Sequence, residues 1–159
     1  MIGSLNTMSY LEPLKWWKKP LAWFKRSQET SIQEQYEKYN VRAFDLHIYF
    51  IGDHDMAIIK YGNIEYKTFS IYEILNYLNN KGDCYVRVVL EETSLSGEKD
   101  KINGRESRFF DYCSKIEIIY PQIKFFGGYR ECDSYKIYKF KNESPYNLIF
   151  HKFVNKLGK

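Results

Sequence analysis

Ten residues, Val41 to Phe50, restrict the possible folds of this chain more than any other stretch. Phe44, Leu46, Ile48 and Phe50 fall on one face of an extended strand, while Val41, Ala43, Asp45, His47 and Tyr49 fall on the other. The first face is apolar throughout, whereas the second turns polar toward its C-terminal end. An ordinary surface strand would alternate from its first residue. A strand that packs one face under helices and ends its other face in a site shows this gradient instead.

The neighbouring patterns supply the helices. Ser31 followed by Glu34 is a capping box that opens a short helix, with Asn40 as its stop. Met56 to Tyr61 reads as a second strand after a turn at Gly52-Asp-His-Asp55. Ser70 and Glu73 form another capping box, ahead of Ile71, Ile74, Leu75 and Leu78 at helical spacing and Gly82 as the stop. Tyr85 to Glu91 is a third strand, with Val86, Val88 and Leu90 on one face and Arg87, Val89 and Glu91 on the other. A polar loop follows over 92–104. The next helix runs from about Glu106 to Tyr120 and buries Phe109, Cys113 and Ile116, and Pro121 ends it. Ile123 to Phe126 is a fourth strand closed by Gly127-Gly128. Asp133 to Phe140 reads either way, and Leu148 to Val154 is a fifth strand or a terminal helix. Strands alternating with helices point to parallel βαβ units.

Charge is concentrated at the N-terminus. The 159 residues carry a net charge of +4 with 44% hydrophobic residues, enough apolar material for one cored domain and too mild a charge for a nucleic-acid binder. Residues 1–30 hold Lys15, Lys18, Lys19, Lys25 and Arg26 against Glu12 and Glu29, so most of the excess sits there. Trp16, Trp17 and Trp23, all the tryptophans of the chain, interleave with these cations. Trp beside Lys and Arg suits a membrane interface, where rings sit at headgroup depth and cations meet anionic lipid. The same residues suit docking on a partner protein, or an arm that folds back over its own core with lysines pointing outward. The expected division is therefore an aromatic, basic helical arm over 1–30 and an α/β domain over 31–159. No apolar run is long enough to span a bilayer, and no signal peptide is visible. Cys84, Cys113 and Cys132 are widely spaced and odd in number, which favours a reducing, cytoplasmic setting over a disulfide framework.

Ser31-Ile-Gln-Glu-Gln35, Asn40-Val-Arg-Ala-Phe-Asp-Leu-His47, Lys60-Tyr-Gly62 and Val88-Val-Leu-Glu91 follow one another in an order that resembles a known family. It is similar to the X-domain of phosphatidylinositol-specific phospholipase C and its bacterial PLC-like phosphodiesterase relatives. Those proteins show an "SI..QL..GVR.FDLR" segment, then "HG" closing the second strand, then a helix and a strand ending near Glu or Lys. The likeness covers roughly residues 31–91. It implies a TIM barrel, in keeping with the strand gradient. Such barrels usually need about 250 residues, so 31–159 would form only a partial (β/α) barrel-like parallel sheet. Its edges would need the arm, a second copy or a larger assembly to cover them.

The resemblance also implies what is missing. The family's "GTHDS"-type motif supplies one catalytic histidine, and residues 1–30 contain none. The second histidine belongs in the "HG" pair, where this chain has Tyr61-Gly62. Each proton transfer contributes about 10²–10⁴ in rate, so a chain without both is expected to be a pseudoenzyme, with no confident catalytic residue. Asp45, His47 and Glu91 match positions that hold calcium in eukaryotic members. Two carboxylates and an imidazole suit Mn²⁺, Zn²⁺ or Fe²⁺ better than Ca²⁺. The other reading is a relic polar cluster satisfied by Arg42, Arg87 or water, with no cofactor. The expected function is a non-catalytic binding or assembly module, in a bacterium or as part of a phage virion. The alternative is a metal-dependent phosphoric diester hydrolase acting on a phospholipid or glycerophosphodiester.

Overall fold

The computed structural model describes residues 1–50, 57–67, 71–91, 105–130 and 138–157. β1 (Ile2–Ser4), a 3-10 turn at Trp16–Lys18, α1 (Lys19–Lys25) and α2 (Ile32–Tyr39) lead into β2 (Ala43–Phe50). β3 (Ala57–Tyr61), β4 (Ile64–Glu65), α3 (Ile71–Lys81), β5 (Tyr85–Leu90), α4 (Arg105–Ile119), β6 (Lys124–Arg130) and β7 (Ile149–His151) follow, with a last 3-10 turn at Val154–Lys156. The described residues thus hold four α-helices and one seven-stranded mixed sheet that does not close into a barrel.

Local chemistry explains the helix ends. Ser31 Oγ accepts from the Glu34 N–H and the Glu34 carboxylate accepts from the Ser31 N–H, which satisfies two of the donors that open α2. Asn40 then adopts a left-handed conformation and stops the helix. In α3, Ile71, Leu75 and Leu78 recur at helical spacing and are buried, and Gly82 at φ 77° turns the chain out.

β2 organises the sheet. It runs parallel to β5 along most of its length and parallel to β1 at its start, and β6 and β7 extend the two sides, giving the parallel order β7-β1-β2-β5-β6. The apolar face of β2 joins Val86, Val88, Leu90 and Phe125 with Leu75, Leu78, Phe109, Cys113 and Ile116 of the helices in one buried cluster. Each large side chain in it contributes about 1.5–3 kcal/mol of burial.

Three features differ from the sequence expectation. The sheet is not wholly parallel, because β3 pairs antiparallel with the end of β2 and β4 antiparallel with β3. Only residues 51–56 separate β2 from β3, whereas a parallel crossover needs about a dozen or more residues. β6 does not stop at Phe126 but passes through Gly127 and Gly128, both at positive φ, by a bulge opposite Val88 and Val89. A Cβ on Gly127 would meet the Val88 carbonyl oxygen at 2.8 Å. Finally, residues 2–4, read as part of the arm, form β1 within the sheet, and the undecided C-terminal segment is the strand β7 beside it.

The turn at Gly52–Asp55 with His54, the Ser70 half of its capping box, the 92–104 loop and most of the Asp133–Phe140 segment lie outside the described residues. Opposite the helices, the sheet curls. Arg87 on β5 sits over the ring of Phe150 on β7, 4.2 Å from its centroid, although three strand spacings of about 4.8 Å separate these strands along the sheet.

Candidate functional site

Register alone brings the predicted polar residues together. Asp45 lies directly opposite Arg87 in the parallel β2–β5 pair, and His47 opposite Val89, so Glu91 follows one step beyond on the same face. The Arg87 Nε donates to Asp45 Oδ1 at 2.7 Å. His47 stands between the two acids, with Nδ1 3.1 Å from Glu91 Oε2 and Nε2 3.3 Å from Asp45 Oδ2. The Nδ1 contact is a hydrogen bond, while Nε2 lies within ion-pair distance of Asp45 without meeting hydrogen-bond geometry. Asp45, His47 and Glu91 are all buried.

β1 and β3 complete the cluster from the other side. The Asn6 N–H donates to Asp45 Oδ2 at 2.9 Å, and the Thr7 hydroxyl donates to the Ser4 carbonyl while accepting from the Asp45 N–H. Tyr61 at the end of β3 donates its phenol proton to the Asp45 carbonyl at 2.9 Å and accepts from the Met8 N–H. The Gly62 N–H donates to Glu91 Oε2 at 3.1 Å.

These contacts set the protonation states. Burial by itself would raise the Asp45 pKa. The charge and hydrogen bond of His47, followed by the Arg87 hydrogen bond and charge, outweigh burial and hold the carboxyl well below the usual range. Burial first, and the Asp45 charge second, push the Tyr61 phenol well above 10. Tyr61 is therefore a fixed donor and not a base near neutral pH.

A cavity of about 460 Å³ opens over this cluster. His47, Tyr61, Gly62 and Glu91 form its floor, while Lys25, Arg26 and Lys152 give its wall a cationic character.

Asp45, His47 and Glu91, the residues read from the sequence as a metal set, lie together on one face of the sheet. Both Asp45 oxygens accept hydrogen bonds, from the Asn6 N–H and the Arg87 Nε, and each imidazole nitrogen faces a carboxylate. Among the described residues no group of three His, Cys, Asp or Glu side chains is arranged to hold a metal ion. Arg87 serves the cluster, while Arg42 lies elsewhere, bonded to Asp83 at 2.9 Å and stacked on Tyr36.

Sequence reasoning missed Asn6 and Thr7, because they sit in the turn after a three-residue strand too short to show a period. Of the arm residues singled out from the sequence, Trp16, Trp17, Lys19, Trp23 and Lys25 are exposed and Arg26 is half-buried. Lys18 is the exception. It turns inward, its Nζ 2.5 Å from the Asn63 carbonyl oxygen and 2.7 Å from Glu65 Oε2, because the β3–β4 turn presents both acceptors beneath it.

No protein-family model matches the chain, and comparisons with curated proteins and with solved structures also find no match. Among the described residues no helix is long and apolar enough to cross a membrane.

Proposed function

We propose that this chain is a diverged PLC-like, partial TIM-barrel domain that binds rather than hydrolyses, working as a ligand-holding or assembly module. The observation that carries this reading is the imidazole clamped between two carboxylates. General acid–base catalysis needs a histidine with one nitrogen directed at the substrate and the other oriented by a carboxylate. Each ring nitrogen of His47 has a carboxylate within 3.3 Å, hydrogen-bonded at Nδ1, and Tyr61 is held as a donor.

What the cluster does well is present fixed charge. Against the single carboxylate of Glu91, Lys25, Arg26 and Lys152 leave the cavity lining net positive, which suits a small anionic group.

The test is phosphodiester hydrolysis, assayed on bis(p-nitrophenyl) phosphate, phosphatidylinositol and glycerophosphocholine with Mg²⁺, Mn²⁺, Ca²⁺ or Zn²⁺ in turn. The expected result is no turnover above buffer, together with calorimetric binding of glycerol phosphate that weakens in Lys152→Ala. Metal-dependent turnover that disappears in both Asp45→Ala and Glu91→Ala would establish the hydrolase reading instead.

A further inference from the structure

Residues 14–26 contain five basic residues and no acidic one, yet their large apolar side chains point away from the body of the protein. Phe24 is 79% exposed, Trp16 75%, Trp23 67% and Trp17 60%. Leu14 and Leu21 are exposed beside them. Trp16 packs edge-on against Trp17 with centroids 6.2 Å apart, and Trp23 against Phe24 at 5.1 Å, so these are paired rings rather than scattered ones. Leu21 and Phe24, three residues apart on α1, share a face, and Trp16 and Trp17 stand in the 3-10 turn just before it. A soluble surface rarely carries such a contiguous patch without a use for it.

The segment is tied down from below, so the exposure does not come from a loose end. The Leu14 N–H donates to the Glu65 carbonyl at 2.7 Å, Lys18 is bonded to Asn63 and Glu65, Ala22 is buried, and Lys25 reaches the Asn63 side chain at 3.1 Å. The rings are thus held outward by a fixed base, which removes most of the ordering cost of binding.

We propose that Leu14, Trp16, Trp17, Leu21, Trp23 and Phe24 dock the protein on the surface of an anionic bilayer. Tryptophan rings are suited to headgroup depth, where one edge stays wet, and the flanking Lys15, Lys19, Lys25 and Arg26 meet lipid phosphate and carboxylate. A second copy is the wrong occupant, since the same unbalanced positive segment would face itself. α1 has seven residues, so the contact is a lying-on and not a spanning one. Phe24, Lys25 and Arg26 also line the mouth of the strand-end cavity, so docking would turn that mouth toward the headgroups. The inference stands on the patch alone and does not rest on what the cavity binds.

Co-sedimentation of the full chain with phosphatidylcholine vesicles, with and without phosphatidylserine, tests it, with tryptophan emission as a second readout. Binding to the serine-containing vesicles with a blue shift is expected, and little binding to the neutral ones. Lys19→Ala and Lys25→Ala should each weaken the anionic partition about fivefold. Trp23→Ala and Phe24→Ala should each weaken it about tenfold, at an unchanged unfolding midpoint. No binding to anionic vesicles at low salt would overturn the proposal, as would binding that survives the double Trp23→Ala, Phe24→Ala change. A dimer of the chain that the same double change dissolves would assign the patch to a second copy and overturn it equally.

Discussion

β2 and the segment from Trp16 to Lys25 carry comparable densities of large apolar side chains, yet the first buries nearly all of them and the second displays its rings to solvent. What separates them is the company of their polar residues. In β2, Asp45 and His47 find Arg87, Glu91, Asn6 and Thr7 within the chain, so the strand can be covered on both faces without stranding a charge. In the arm, one cation, Lys18, has an acceptor-lined socket to enter, while Lys19 and Lys25 stay at the surface with the rings among them. Hydrophobic density says that a segment wants cover, and the matching of its charges says whether the chain itself supplies it.

The sharpest way to break this contrast is to truncate one ring from each region. Phe44→Ala should cost about 3–5 kcal/mol by chemical denaturation, whereas Trp23→Ala should stay within about 0.5 kcal/mol. A comparable cost at Trp23 would place the arm inside the cooperative core. A smaller effect concerns the charges of β2. Asp45 has a folded pKa below its unfolded value of about 3.9, so the folded state binds fewer protons in acid. Its stabilisation is complete above that unfolded value and drains away as pH falls toward the folded one. Unfolding midpoints followed from pH 6 down to pH 2 should therefore show an acid slope that Asp45→Asn flattens. If the slope is unchanged, other carboxyls carry it. The smallest expected signal is chemical. Burial, then the neighbouring Asp83, push the Cys84 thiol up to about 12, and burial raises Cys113 as well. Both should resist iodoacetamide at pH 8 in the native protein and label fully in denaturant, read by peptide mass.

Much of the polar cluster was readable in advance, because strand alternation puts Asp45 and His47 on one face and Arg87 and Glu91 on another that register then aligns. The capping box at Ser31 and Glu34 and the buried rhythm of Ile71, Leu75 and Leu78 were equally plain. What stayed hidden was short or relational. Ile2–Ser4 and Ile149–His151 are too brief to show a period, and each becomes a strand through distant partners, β2 and β7 for the first and β1 for the second. The antiparallel turn into β3 depends on loop length, a weaker signal than alternation. Gly127-Gly128 read as an ending when it is a bulge, since glycine punctuates both.

That parallel zipper between residues 2–4 and 149–151 has a kinetic side. Gly3 is the residue over which the Phe150 ring lies, with a Cβ there meeting Phe150 Cδ1 at 2.7 Å, so this side of the first strand cannot be sealed until residues 149–151 exist. Assembly must then wait for its most distant contact, the situation in which barriers are highest and half-made intermediates persist longest. A nascent copy would hold β1 without one neighbour while the intervening residues are made, and its vulnerability to proteases and aggregation would be greatest in that interval.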